Sequence, residues 1–149
     1  MATLKTTLLE EITLHGDDQR ILTTKSFGNI GEFSRRILTI TTTEATILTF
    51  SAAAGQGTYI AADVRYIRFT NLDSTNHIML TFKDEDNTEF RVKVDSGQSF
   101  IYNADNSGGL VDTMKANGAA LSSGLADLYD VTADADTDSC NLEMIIASI

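Results

Sequence analysis

Several residue types are missing or rare in this chain of 149 residues. It has no proline, no tryptophan, two histidines and a single cysteine, Cys140. One cysteine can neither close an intrachain disulfide nor complete a four-thiolate or Cys/His zinc site. Runs of about 18 apolar residues are also absent, which excludes a transmembrane helix and argues against a membrane partner. The first residues, MATLKTTLLEE, lack the basic and apolar regions of a secretory signal, so we expect none.

Basic residues are scarce as well. The chain has 11 Lys and Arg against 21 Asp and Glu, which gives a formal charge of −10. Residues 103–149 hold eight of the acids and one base, Lys115. Nucleic-acid binding normally depends on a cation-rich surface, so we expect no nucleic-acid partner. The acids are typical of a surface that keeps a protein soluble.

The strongest pattern present is an alternation of apolar and polar residues. In residues 77–82, Ile78, Leu80 and Phe82 share one face, and residues 89–94 repeat the pattern with Phe, Val and Val. Strict alternation is typical of an antiparallel sheet with one face on the core and one in water. Threonine, at 20 residues, adds to the β-branched content that suits strands. The two segments therefore predict a hairpin, with its connection at residues 84–87.

Further segments carry the same signal and are separated by polar turns. They are residues 20–24, 36–40, 46–50, 65–70, 99–102 and 142–146. The four strands between residues 65 and 102 are typical of a meander or of part of a Greek key. Roughly eight strands predict an all-β protein, an antiparallel β-sandwich of jelly-roll-like or Greek-key type. One long Gly/Ala/Ser-rich loop is expected at residues 103–126.

The N-terminal segment allows two interpretations. Leu4, Leu8, Ile12 and Leu14 alternate with polar residues, so residues 1–18 form either an arm that adds to a partner's sheet edge or the domain's first strand. These four residues are the candidate partner-binding residues. The expected division is residues 1–18 as N-terminal strand or arm and residues 19–149 as the sandwich domain.

Catalytic signals are weak. Only His15 and His77 could act as histidine bases, and neither belongs to a recognisable motif. The G-x-S-x-G motif of a nucleophile elbow and a phosphate-binding loop are both missing. Cys140 has no neighbouring cation in the sequence to lower the pKa of its thiol, so we expect it to be inert. The sequence therefore predicts a protein that is not an enzyme and that needs no cofactor.

Three aspartates near the C-terminus are the remaining metal candidates. Asp134, Asp136 and Asp138 are spaced like the start of a calcium loop. The EF-hand pattern, however, requires Gly where Ser139 stands and Glu where Ile145 stands. We therefore expect no metal, with an irregular calcium site at these aspartates as the alternative.

Two stretches resemble the β-rich virion proteins of tailed bacteriophages. They read VRYIRFTNLDSTNHIMLTF at residues 64–82 and VDSGQSFIYN at residues 94–103. The shared pattern is a strand that ends in Asn, a polar turn, a second strand, and a later Gly that leads into an S-F-type strand. From its first to its last residue the pattern spans about 40 residues, 64–103. It is architectural, so it transfers no individual site residue.

The resemblance implies a role in the virion. It suggests a capsid cement, or decoration, protein on the outer capsid surface, where homo-oligomers would contact the major capsid protein and stabilise the expanded shell. A head–tail connector or a tail-associated virion protein would share the same features. A carbohydrate- or receptor-binding β-sandwich module is a further alternative, although the absence of tryptophan disfavours a sugar-stacking site.

Overall fold

The computed structural model describes residues 1–55, 57–84, 89–103 and 128–149. Within these ranges the chain forms eleven strands and no helix. The strands are β1 (Ala2–Leu14), β2 (Asp17–Ile30), β3 (Glu32–Ile40), β4 (Ala45–Ser51), β5 (Thr58–Ile60), β6 (Val64–Asn71), β7 (Ile78–Asp84), β8 (Glu89–Val94), β9 (Ser99–Asn103), β10 (Leu128–Ala135) and β11 (Cys140–Ser148). The expected all-β class is confirmed. The predicted loop beyond Asn103 and the connection after Asp84 lie outside the described residues.

The body of the protein consists of two sheets that enclose one core. The five-stranded sheet has the order β5-β4-β10-β7-β8, and the four-stranded sheet has the order β3-β11-β6-β9. Neighbouring strands are antiparallel, apart from the parallel pair of β4 and β5. In chain order, β7 and β8, which pair in the five-stranded sheet, lie between β6 and β9, which pair in the four-stranded sheet. In the five-stranded sheet β10 lies between β7 and β4, and in the four-stranded sheet β11 lies between β6 and β3. This winding is a jelly roll, which confirms the predicted antiparallel sandwich.

The four strands between residues 65 and 102 form a Greek-key part rather than a meander. β7 and β8 pair in the five-stranded sheet, while β6 and β9 pair in the other sheet. The buried Asn71 fixes this crossing, because its side-chain amide donates to the backbone oxygens of Asn76 (2.8 Å) and Val94 (3.1 Å). One side chain thus holds the chain segments that enter β7 and leave β8.

The core is built from the apolar faces that the alternation identified. Ile78, Leu80 and Phe82 are fully buried. The Phe82 ring lies 4.8 Å from the ring of Phe90 and 6.0 Å from that of Phe69, centroid to centroid. Because Phe69 belongs to the four-stranded sheet and the other four residues to the five-stranded sheet, these contacts join the two layers. Aromatic pairs of this kind add to the stabilisation given by burial alone.

β1 and β2 form a long hairpin outside the two sheets, which we call the arm. Its ladder runs without a register shift from Leu4 opposite Phe27 to Leu14 opposite Asp17. The strands are joined by His15 and Gly16, whose φ angles of 54° and 87° are typical of a two-residue type I′ turn. At a rise of about 3.4 Å per residue, this ladder is about 34 Å long. The expected domain boundary between residues 18 and 19 therefore falls inside the arm.

The arm is attached to the outer face of the four-stranded sheet. Phe27 and Ile30 of β2 are buried there with Tyr66 and Ala147. The rings of Phe27 and Tyr66 lie 5.8 Å apart. We call the part of the arm that carries Leu4, Phe27 and Ile30 its root. These contacts, with the half-buried Leu4, hold the root on the body.

Candidate interaction surface

The four candidate partner-binding residues lie on one face of the arm. Side chains alternate across a strand, and directly opposed residues share a face. Leu4, Leu8, Ile12 and Leu14 therefore share what we call the Leu4 face. Leu4 packs at the root, whereas the side chains of Leu8, Ile12 and Leu14 are 53%, 57% and 51% exposed. The structure thus aligns the four residues and leaves three of them in water.

Three further apolar residues of the arm, Leu9 of β1 and Ile21 and Leu22 of β2, were not among the predicted partner-binding residues. Ile21 lies opposite Glu10 on the Leu4 face, and Leu22 lies opposite Leu9 on the reverse face. All three apolar side chains are exposed. The signal that could have revealed them is His15-Gly16, a turn dipeptide between two alternating segments. The arm therefore presents apolar side chains on both of its faces.

A groove of about 550 Å³ lies between the root of the arm and the outer face of the four-stranded sheet. Its apolar lining includes Phe33, Ile101 and Ile145. Its charged lining residues are Lys5, Lys25 and Arg68, and no acidic residue is part of the lining. In a protein of net charge −10, this groove is a local concentration of positive charge.

Beside the groove, a buried carboxylate pairs with two arginines. Glu143 accepts hydrogen bonds from Arg35 Nε at 2.6 Å and from Arg68 at 2.5 Å. The hydrogen bond from Arg35, and then that from Arg68, hold the pKa of Glu143 below its usual value although burial opposes this. The carboxylate therefore stays ionised and compensates for positive charge on this face.

A second ion cluster lies on the outer face of the five-stranded sheet. Glu44 is 3.3 Å from Lys83 Nζ and 2.9 Å from an Arg91 nitrogen, and it accepts a hydrogen bond from the Thr132 hydroxyl. The Thr132 hydrogen bond is the largest cause of a lowered pKa at Glu44. Both clusters consist of paired charges, which stabilise the sheets and offer no activated base or nucleophile.

The two histidines lie in different parts of the molecule. His15 is exposed in the turn of the arm. His77 Nδ1 lies 3.3 Å from an Asp136 carboxylate oxygen, just before β7. This pair has the geometry of a base and an orienting acid, but His77 does not line the groove described above. That the protein is not an enzyme stays a prediction.

The three candidate metal ligands do not converge. Asp134 is half-buried on β10, whereas Asp136 and Asp138 are exposed in the turn that follows. Among the described residues, no group of three or more His, Cys, Asp or Glu side chains could hold a metal ion. Cys140 is buried, and this burial, followed by the nearby charge of Asp73, raises the pKa of its thiol. The thiol is therefore protonated at neutral pH and unreactive.

Comparison of the chain with protein-family models, with curated proteins and with solved structures finds no match. Across the described ranges, no helix is long and apolar enough to cross a membrane. In the described residues, the exposed apolar side chains of the arm and the groove at its root have the character of an interaction surface.

Proposed function

We propose that this protein is a capsid cement protein of a tailed bacteriophage. In this role, homo-oligomers bind the major capsid protein on the outer surface and stabilise the expanded shell. The observation that carries the proposal is the arm, a projecting hairpin whose apolar side chains face water on both sides. The phage assignment itself comes from the sequence resemblance.

The marginal stability of an isolated hairpin and the exposed apolar residues of the arm both favour a function that depends on binding other molecules. An isolated two-stranded hairpin is marginally stable in water, and exposed clusters of apolar residues typically mark interaction sites. The reverse face of the arm presents the exposed side chains of Leu9 and Leu22. The Leu4 face presents those of Leu8, Ile12, Leu14 and Ile21. An arm with two apolar faces can contact two neighbouring molecules at once. Bridging of this kind is what a cement protein must do.

The body is suited to serve as a rigid support for the arm. Jelly rolls recur in viral capsid domains, although they also occur in lectins and cupins, so the fold alone does not define a function. The net charge of −10 fits an outer capsid surface better than one that faces packaged DNA, which would repel it. Many copies on one shell would also strengthen weak individual contacts through avidity.

Binding to preassembled, expanded shells tests the proposal directly. We expect the purified protein to sediment with the shells and to raise their melting temperature. The double variant Leu9→Thr/Leu22→Thr introduces β-branched residues, which suit strands, and removes the apolar reverse face, so it should bind far more weakly. Leu72→Thr is the matched control, because Leu72 is exposed on the body (47%) and away from the arm. Wild-type protein that stays in the supernatant would refute the cement role.

The other virion and receptor-binding roles predict different observations. A cement protein is present in hundreds of copies over the shell, whereas a connector or tail component forms a closed ring of roughly six or twelve copies at one vertex. Copy number in an imaged particle separates them. A sugar-binding module would need exposed aromatic side chains close together. Among the described residues only Phe33 and Tyr129 are largely exposed aromatics, and they lie on different sheets.

A further inference from the structure

We propose that the groove at the root of the arm receives the tip of the arm of a second copy of this chain. The tip is defined as residues 10–21, which include the turn and the last rungs of the ladder. The proposal assigns the surface through which the copies in the homo-oligomer hold one another. It extends the proposed function in that respect and does not depend on shell binding.

The lining of the groove is complementary to an occupant that is both apolar and acidic. Phe33 and Ile101 in its lining are 54% and 42% exposed. Among the described residues, neither Lys5 nor Lys25 forms an ion pair with a carboxylate, whereas Arg68 is paired with Glu143. Two lysines beside an apolar surface therefore lack acidic partners.

The tip of the arm has the complementary chemistry. It contains four acids, Glu10, Glu11, Asp17 and Asp18, and one base, Arg20. Arg20 lies 3.4 Å from a Glu11 oxygen and pairs with it. The other three acids, Glu10, Asp17 and Asp18, give the tip a net negative charge. Exposed Ile12, Leu14 and Ile21 provide the apolar surface on the Leu4 face. Opposite charge around an apolar contact gives both affinity and a fixed orientation.

A tip that occupies the groove comes from another copy, because the arm cannot fill its own groove. The root of the arm lines the groove, and the unbroken ladder places Leu14, at the far end of the tip, about 34 Å from Leu4. A second copy offers the same tip and the same groove. Two copies, or a small ring of copies, can therefore exchange tips and close the assembly by symmetry, with every tip and groove filled.

Sedimentation velocity of the purified full chain over a range of concentrations is the first test. We expect the wild type to form a defined oligomer at about micromolar concentration, typical of a specific association. A wild type that remains monomeric up to about 100 µM would overturn the proposal, since the contact would then be too weak to hold the copies together.

Charge reversal locates the contact. The groove variant Lys5→Glu/Lys25→Glu and the tip variant Glu10→Lys/Asp17→Lys should each weaken association by about tenfold or more, because like charges then face one another. An equal mixture of the two variants should associate again, since each tip then meets a groove of opposite charge. Lys93→Glu is the control, because Lys93 lies on the five-stranded sheet and pairs with Asp95.

The remaining outcomes are equally decisive. Circular dichroism and the melting temperature show whether each variant is folded, and the restored mixture is itself evidence of folded partners. An oligomer that tolerates both reversals, or a mixture that stays dissociated, would show that the copies meet elsewhere. A monomeric wild type that still sediments with shells would refute tip exchange and leave the cement role standing. An oligomer that does not sediment with shells would refute the cement role and leave tip exchange standing.

Discussion

The body and the arm are made of the same kind of strand but differ in what covers them. Leu142 of β11 and Leu22 of β2 both belong to antiparallel ladders, yet Leu142 is fully buried and Leu22 is 60% exposed. In the body, a second sheet covers the apolar face of the first. The arm has two strands and no second layer beyond its root. Apolar alternation therefore identifies a face that needs covering, and it does not say which molecule covers it.

The largest expected effect is the loss of a core side chain from the body. Leu142→Ala should lower the free energy of unfolding by about 4 kcal/mol, because it removes buried methyl groups and leaves a cavity between the two sheets. Urea denaturation followed by circular dichroism measures it. A loss below about 1 kcal/mol would show that this position is not packed as a core, which would erase the contrast with the arm.

The next effect concerns the contact that joins the two regions. Phe27→Ala removes the buried ring that packs against Tyr66, and we expect a local destabilisation of about 3 kcal/mol. Because the body keeps its own core, the loss should concentrate in the arm. Hydrogen exchange should accelerate at the amides of β1 and β2 and change little at those of β7 and β10. Uniform acceleration across all strands would contradict separate stability of the two regions.

A smaller effect is expected at the carboxylate beside the groove. Glu143→Gln removes the anion between Arg35 and Arg68, and because both arginines are partly exposed, the cost should be about 2 kcal/mol at neutral pH. The pKa of Glu143 is lowered in the folded state, so its contribution is present above the ordinary glutamate pKa of about 4.3 and is lost as the pH falls below it. Unfolding curves at pH 7 and pH 3 should therefore differ more for the wild type than for the variant.

Glu44→Gln is the matched comparison for Glu143. Glu44 also has a lowered pKa, first through the Thr132 hydrogen bond, but its side chain is 31% exposed against 8% for Glu143. Solvent screens such pairs, so the loss should stay within about 1 kcal/mol. A larger loss at Glu44 than at Glu143 would mean that burial does not set the strength of these clusters.

The sequence was sufficient to predict the fold class and most strands of the body, but it predicted neither β5 nor β10. Ile78, Leu80 and Phe82 alternate with more polar residues, and the structure buries all three. The distribution of strands between the sheets was harder to predict, because β6 and β7 show the same kind of alternation although they lie in different layers. That choice depends on long-range hydrogen bonds such as those of Asn71, which local periodicity does not report.

The candidate surface was predicted only in part, for a related reason. Leu4, Leu8, Ile12 and Leu14 were identified from alternation alone, but the exposure of the last three depends on the missing second layer. Glu143 gave no signal, since it lies 108 residues from Arg35 in the chain. The groove likewise combines residues from both strands of the arm and from the body, so no single segment of sequence indicates it.

The smallest expected effect gives the sharpest form of the comparison. Leu22→Ala is the same chemical change as Leu142→Ala, but the side chain is already largely hydrated in the isolated protein. Its loss should therefore change the free energy of unfolding by less than about 0.5 kcal/mol in urea titrations of dilute protein. The Leu22→Ala variant should dissociate from shells more readily than the wild type, because the methyl groups of Leu22 are buried in the contact when the protein is bound. A cost above about 2 kcal/mol in the isolated chain would show that the reverse face is already covered within the protein, and the arm would then lose its role as a free surface.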